Sequence, residues 1–398
     1  MAILVPLAVL TLAGLVLLWP AGGRGNVTVS NPYASAPDAK FETGTVQRVN
    51  LQDCPSSAAM VAAGGKAEQC LVAYTAPDSG GPLAAVEITK EVAKSHGVKG
   101  GDRIRFLDLS NLPQLSGAPY IFIDFLRTVP IVFLALLYAV VVIAVARWRG
   151  LRAILGLVGA YVMLAQFILP ALLAGKPPLL VAVTGAAAIM FAVLYFAHGV
   201  SARTSTALLG TLFGLIVTAL LAAWATDAAY LTGLGDENTY QLVNVSDKLS
   251  LSGIVLCGLI ISGLGVLNDV TITQASAVWE MYELAPGTPA RELFRSAMRI
   301  GRDHIASTVY TIAFASAGAA LPVLILVSLY DRSLLDTLTS GQLAGEVIRT
   351  LVGSIGLVLA IPITTALAVL VVKAVGRQQT FDSPQRPAVA PAEDKILL

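Results

Sequence analysis

Few side chains in this sequence can exchange protons beside an apolar region, and the main candidates lie within 268–304. Asn268 and Asp269 end one long apolar run, and Asp303 and His304 precede the next one. A carboxylate at a membrane boundary is a candidate proton carrier, and a histidine near a carboxylate exchanges protons near neutral pH. The competing interpretation is structural, because aspartate is a favoured N-cap and Asp269 precedes a helix-compatible segment.

Hydroxyl, amide and proline residues interrupt the apolar runs around these positions. Further candidate transport residues are Gln274, Thr311, Ser316, Pro322, Pro362, Thr364 and Thr365. A proline in a membrane helix frees a backbone carbonyl, which must find a partner or line a cavity, and paired interruptions are typical of transport sites. Ordinary kinked packing is the alternative. The transport hypothesis predicts a polar cavity lined by Asp269, Thr311, Ser316 and Thr364.

The composition indicates that most of the chain lies in a lipid bilayer. Of the 398 residues, 56% are hydrophobic and 13% are charged, whereas a soluble domain carries roughly 25% charged residues. The net charge of +1 argues against a nucleic-acid partner. We therefore predict a polytopic α-helical membrane protein that works in or across the lipid bilayer. The transport hypothesis adds a small molecule or an ion as a candidate substrate.

Apolar runs of about 20 residues predict the membrane spans. Eight runs qualify, at 2–19, 125–146, 151–174, 178–198, 204–226, 249–267, 307–330 and 346–374. The loops 147–150 and 175–177 are short, so the helices that they join must be antiparallel neighbours.

The distribution of Lys and Arg predicts the orientation, because cytoplasmic loops carry an excess of both. With the N-terminus inside, the inside segments carry Arg147, Arg149, Arg203, Arg291, Arg295, Arg299, Arg302, Lys373, Arg377 and Arg386. The short outside loops carry only Lys176, Lys248 and Arg332. We therefore expect a multi-pass protein of the bacterial inner (cytoplasmic) membrane, with both termini cytoplasmic and residues 22–124 outside.

This pattern divides the chain into four parts. They are an N-terminal anchor helix (1–21), an extracytoplasmic β-rich domain (22–124), a multi-span core (125–376) with a cytoplasmic amphipathic segment (268–306), and a disordered cytoplasmic tail (377–398). Cleavage after Ala21 and a start upstream of Met1 are alternatives to an uncleaved anchor. Within the amphipathic segment, 290–307 reads as a basic helix that connects spans along the membrane surface.

The polar domain is predicted to be a small barrel or sandwich, OB-like in outline. Five short β-branched or aromatic runs are separated by Gly, Pro, Asp and Ser, at 41–50, 70–76, 83–90, 102–109 and 119–126. A structural cap and a domain that binds a ligand or an envelope protein partner are the two alternatives.

The three cysteines give no metal-site spacing. Cys257 lies in an apolar run, whereas Cys54 and Cys70 in the polar domain form either a disulfide or two free thiols. The chain contains no P-loop, G-x-S-x-G or H-E-x-x-H motif. We therefore expect no enzyme, no metal and no cofactor.

Two segments carry a resemblance to a known family. SGLGVLNDVTITQASAVWEM (262–281) and GRDHIASTVYTIAFASAGAALPVLIL (301–326) resemble the YibE/F-like membrane proteins, in an actinobacterial form. The order of anchor helix, outer β-rich domain and multi-span core is also similar, and the resemblance is strongest over 200–330. It implies a permease-like role without a substrate. We expect a secondary transporter, with proton coupling as one mode, and a non-transporting envelope assembly or scaffold protein as the alternative.

Overall fold

The computed structural model describes residues 3–20, 39–57, 68–95, 97–110, 118–234, 249–329, 333–341 and 343–382, with the single positions 64, 66 and 242. The chain divides into two compact units, residues 30–145 and residues 1–29 with 146–398. The predictions on Ala21, Lys248, Arg332 and the residues after 382 lie outside the described residues.

Five strands in the first unit form a closed barrel in the order β1-β2-β3-β5-β4. The strands are β1 (Lys40–Asp53), β2 (Gln69–Pro77), β3 (Ala84–Ile88), β4 (Arg103–Asp108) and β5 (Tyr120–Phe125), with helix α2 (Lys90–Ser95) between β3 and β4. Neighbouring strands are antiparallel except β3 and β5, which are parallel. The five predicted strands therefore correspond to β1–β5. Of the two predicted alternatives, a barrel and a sandwich, the structure has the barrel.

The length of β1 allows the barrel to close, because this strand pairs with β2 on one side and β4 on the other. Gly44 lies where both pairings overlap, opposite Pro77 and Ile104. A Cβ at Gly44 would lie 2.4 Å from the Ala76 carbonyl oxygen, so only glycine fits there. Alternate strand residues fill the interior with apolar side chains, which include Val86 and Phe106.

The remaining helices supply the apolar segments. They are α1 (Leu4–Leu18), α3 (Thr128–Met163), α4 (Leu169–Leu173), α5 (Pro178–His198), α6 (Ala202–Ala228), α7 (Leu251–Ser262), α8 (Leu264–Leu284), α9 (Ala290–Ala319), α10 (Leu321–Ser328), α11 (Leu334–Leu338) and α12 (Ala344–Asp382). Leu164–Ile168 forms a π-helical segment between α3 and α4.

Five helical segments of the described chain are long and apolar enough to cross a membrane, or six if α9 and α10 form one bent span. α9 and α10 meet at an angle of 65°. The segment Thr128–Leu173 has 46 residues, about 69 Å at 1.5 Å per residue, and its helical geometry breaks at Arg147 (φ 53°, ψ −132°). These segments establish a membrane-embedded protein.

The sixth predicted span, 249–267, continues further than the hydropathy pattern predicts. Helices α7 and α8 follow one another from Leu251 to Leu284, and α8 packs against α6 and α12. Asp269 lies within α8, whose N-cap is Gly263. The capping interpretation of Asp269 is therefore wrong, because its backbone is already helical.

Candidate functional site

The centre of the helical unit holds hydroxyl and amide groups where an apolar core is the rule. Helices α6, α8 and α12 pack against one another, and five polar side chains at their contacts are at most 3% exposed and form side-chain hydrogen bonds. These residues, called the polar seam below, are Thr211, Thr271, Gln274, Thr364 and Thr365. Three of them are predicted candidates.

A hydroxyl pair joins α6 to α8 within the seam. The Oγ1 atoms of Thr211 and Thr271 lie 2.6 Å apart. Each hydroxyl is also within hydrogen-bond distance of a carbonyl of its own helix, Thr211 to Ala207 and Thr271 to Leu267. A hydroxyl has only one proton, so one threonine donates to its own helix while the other donates across to its partner. The two threonines can exchange these roles by rotating their hydroxyl protons, which requires little change in structure.

Gln274 joins α8 to two further helices. Its amide nitrogen donates to the Ala297 carbonyl of α9 at 2.9 Å and to Thr365 Oγ1 of α12 at 2.8 Å. Both protons of the amide are therefore used, and Thr365 in turn donates to the Ile361 carbonyl. The arrangement holds three helices together through one side chain.

Glycines bring the helix backbones close enough for these contacts. A Cβ at Gly210 would lie 2.0 Å from Thr364 Oγ1, and a Cβ at Gly356 would lie 2.1 Å from Thr218 Oγ1. At Gly301, a Cβ would approach Ile361 to 2.8 Å and the Gln274 side chain to 3.2 Å. Small residues are the usual means of close helix approach in membranes.

A carboxylate and an imidazole lie together on α8 and α9. His304 Nε2 is 3.8 Å from Asp269 Oδ2, which is longer than a hydrogen bond. The Asp269 side chain is 69% exposed and that of His304 is 29% exposed. Because Nε2 itself is buried without a hydrogen-bond partner in the part of the chain described, a small side-chain movement or one water would connect the two groups.

Other polar atoms beside the seam also lack partners among the described residues. They are Asn268 Oδ1, Thr218 Oγ1 and Ser354 Oγ, all buried. Buried polar atoms in native proteins are usually hydrogen-bonded to protein or to water. Asn268 directly precedes Asp269 in α8, so one of these atoms is next in sequence to the Asp269–His304 pair.

The remaining predicted candidates lie apart from this centre. Asp303 and Thr311 are exposed, and Thr311 donates to the carbonyl of Ser307. Ser316 is half-buried near the end of α9, where its carbonyl accepts from Ala320. Thr364 by contrast is fully buried, so the structure does not bring Asp269, Thr311, Ser316 and Thr364 into one cavity.

The two prolines differ in their effect. Pro322 occupies the first turn of α10 directly after the 65° bend, where its missing N–H cannot continue the hydrogen bonding of α9. Pro362 lies inside the continuous helix α12, two residues before Thr364. The carbonyl four residues before it, that of Val358, thereby loses its helical donor.

The cysteines of the barrel unit are free and buried. The Sγ atoms of Cys54 and Cys70 lie within 4.8 Å of each other and of a carboxylate oxygen of Glu87. Burial, followed by the hydrogen bond with Cys54, raises the pKa of Cys70 to about 12. In this structure the two cysteines lie side by side as thiols, and the choice between a disulfide and two thiols stays a prediction.

Sequence reasoning missed Thr211, Thr218 and Gly356, which contacts Thr218. The available signal was G-x-x-x-G at 210–214, which is a packing motif. Gly210 faces Thr364, and a Cβ at Gly214 would lie 2.7 Å from the Leu267 side chain. The motif identifies the face of α6 that packs closely against other helices, but it does not identify the hydroxyl groups on that face.

Comparison with known proteins places these residues in a family. No curated protein and no solved structure matches the chain. The model of the family described as YibE/F-like protein matches residues 134–374, more than half of the chain. The match includes the whole polar seam, Asp269 and His304. The resemblance found in the sequence is therefore confirmed, and the chain belongs to the YibE/F-like protein family.

Proposed function

We propose that this protein is a permease of the bacterial cytoplasmic membrane that couples the passage of a small molecule or ion to proton transfer between Asp269 and His304. The observation that carries the proposal is the 3.8 Å approach of these two groups, on helices that also meet at the polar seam. Ionisable groups within or beside membrane spans are functional candidates by default.

The chemistry follows from the geometry of the pair. A protonated His304 forms an ion pair with Asp269, whereas loss of the proton removes the attraction between α8 and α9. The same two helices are joined by Gln274, which donates to the Ala297 carbonyl of α9. Proton release at His304 therefore weakens one contact between α8 and α9. Among the described residues, the Gln274–Ala297 hydrogen bond then remains as the polar contact between these two helices.

The seam provides a pathway without fixed charge. Its hydroxyl and amide groups offer both donors and acceptors, and the Thr211–Thr271 pair can reverse its donor direction. A solute that enters between α6, α8 and α12 would replace these hydrogen bonds with its own. The proposal assigns no enzymatic reaction to the chain.

We also infer eight spans with both termini in the cytoplasm and residues 22–124 outside. The five long apolar segments, the bent α9–α10 pair and the short apolar helix α1 account for seven. The break at Arg147 divides the 46-residue segment into two, which gives the eighth. Arg147 and Arg149 at this break suit a cytoplasmic turn.

We infer further that the barrel is OB-like. The support is its strand order, the double pairing of the long strand β1 and the position of α2 between β3 and β4. OB-folds are binding modules as a rule, so the barrel suits an extracytoplasmic ligand or an envelope protein partner.

The alternative function is a non-transporting scaffold. The observation that favours it is the hydrogen bonding of the seam in this conformation, in which each of the five side chains has at least one partner. A scaffold would keep the seam closed permanently, whereas a permease must open it.

Substitution of Asp269 tests the coupling role. We expect membrane vesicles containing the wild-type protein to move at least one solute under an imposed pH gradient, as measured by mass spectrometry of the vesicle contents. Asp269→Asn is expected to reduce this movement about 100-fold, a typical contribution of a positioned acid or base. The matched control is Asp303→Asn, which removes an exposed carboxylate beside His304 and should retain transport. Equal solute profiles for wild type, Asp269→Asn and Asp303→Asn would refute the coupling role.

A further inference from the structure

The outer face of the barrel carries a cluster of metal-ligating side chains that sequence spacing does not reveal. Cys54 follows the end of β1, Cys70 lies at the start of β2, and Glu87 lies in β3. One ligand atom from each lies within 4.8 Å of the other two. Cys54 and Cys70 are only 6% and 7% exposed.

The strand register explains why these three side chains meet. Ala73 and Val86 point into the barrel core, so Cys70 and Glu87, an odd number of residues away, point to the opposite face. Cys70 pairs with Gln52, and the Cys54 N–H donates to the Glu68 carbonyl at 2.7 Å. Cys54 is therefore two residues beyond the partner of Cys70 and shares its face.

The carboxylate of Glu87 is already held in place. Ser56 donates to it from the backbone nitrogen at 2.9 Å and from the hydroxyl at 2.7 Å. Ser56 belongs to the Pro55–Ser57 turn that directly follows Cys54. Hydrogen bonds of this kind orient the ligands of metal sites and are characteristic of their outer shell.

We propose that Cys54, Cys70 and Glu87 bind a thiophilic divalent cation of the zinc class, with the fourth position open to water or to a further ligand. Two thiolates bound to a tetrahedral zinc at about 2.3 Å lie about 3.8 Å apart, a separation within the 4.8 Å limit of the cluster. Binding displaces one proton from each thiol to solvent, so that two thiolates and one carboxylate surround the cation. The site would hold both ends of the β1–β2 connection against β3.

The same two sulfur atoms are those that a disulfide would join, and they lie within 4.8 Å of each other. Both cysteines are free in this structure, and the cation site requires this reduced form. The proposal does not depend on transport, since the cluster lies wholly within the barrel unit.

Cobalt titration of the full chain tests the site. The purified, reduced protein in detergent is titrated with Co²⁺, and the thiolate-to-cobalt charge-transfer absorption is recorded before and after addition of Zn²⁺. We expect the signal to saturate at a single Co²⁺ per chain and to disappear when Zn²⁺ is added. Cys70→Ser should abolish the signal, whereas Cys257→Ser, at a buried cysteine of the helical unit, should leave it intact.

Two further variants keep the test independent of folding defects. Glu87→Gln retains both thiols and should weaken Co²⁺ binding, and Ser56→Ala should weaken it about 10–100-fold, as loss of an outer-shell hydrogen bond does. The proposal is overturned if the reduced wild type gives no charge-transfer signal. It is equally overturned if Cys70→Ser binds as well as wild type, or if the cysteines form a disulfide that excludes the cation.

Discussion

Gln274→Glu is expected to lower the free energy of unfolding by about 3 kcal/mol or more, although the two side chains have nearly the same shape. The Gln274 amide donates two hydrogen bonds, to the Ala297 carbonyl and to Thr365 Oγ1. A carboxylate has no proton to donate, so its oxygen would face the carbonyl oxygen of Ala297. A protonated carboxyl restores only one of the two donors.

The loss should be measured as the shift in the heat-aggregation midpoint of the detergent-purified protein, followed by gel filtration. Gln47→Glu is the matched control, because it makes the same atomic change at an exposed position of β1. Lower pH should restore part of the stability of Gln274→Glu, since protonation removes the buried charge. If the two variants melt together, Gln274 does not hold α8, α9 and α12 as described.

Gly356→Ala is the second change with a large expected effect, about 1–3 kcal/mol from overpacking. The new Cβ would lie 2.1 Å from Thr218 Oγ1, whereas the next atoms, Thr218 Cβ and the Gly214 carbonyl oxygen, would be 3.3 and 3.6 Å away. Thr218→Ala removes the closest atom and should restore most of the lost stability. Alone, it should cost little, because the Thr218 hydroxyl is buried without a partner in the described chain.

A double-mutant cycle measures this compensation. The thermal midpoints of Gly356→Ala, Thr218→Ala and the double variant show whether the two effects add. Thr218→Val is the control for shape, because valine keeps a methyl group where the hydroxyl was and should not rescue Gly356→Ala. Additive effects of Gly356→Ala and Thr218→Ala would show that α6 and α12 do not meet at this contact.

The barrel and the apolar helices could be predicted because their signals are local. Alternation of apolar and polar residues within a strand reports the strand directly, and a long apolar run reports a span. The buried position of the polar residues in α8 could not be predicted in this way. Thr271 and Gln274 are polar and therefore resemble a water-facing segment, yet their partners, Thr211 and Thr365, lie on other helices.

The cysteine cluster shows the same limit in the barrel. Cys54 and Cys70 are separated by a long connection, and Glu87 lies on a third strand, so no short motif contains them. Only the register, with Cys70 opposite Gln52 and Glu87 opposite Val72, places them on one face. Which residues of different strands lie side by side depends on the whole fold, and no local spacing in a single sequence shows it.

A permease of this kind must open the polar seam during function, and thiol accessibility tests this opening most directly. Thr211→Cys places a thiol in the seam, and Leu208→Cys places one at a fully buried position of the same helix, within the apolar core. Both are treated in native membrane vesicles with a membrane-impermeant maleimide, with wild type as the blank for the native cysteines. We predict that Thr211→Cys is labelled at a rate that changes with an imposed pH gradient, while Leu208→Cys is not labelled. If both positions stay unlabelled until the membranes are dissolved and the protein is denatured, the seam is permanently closed and the permease account is contradicted.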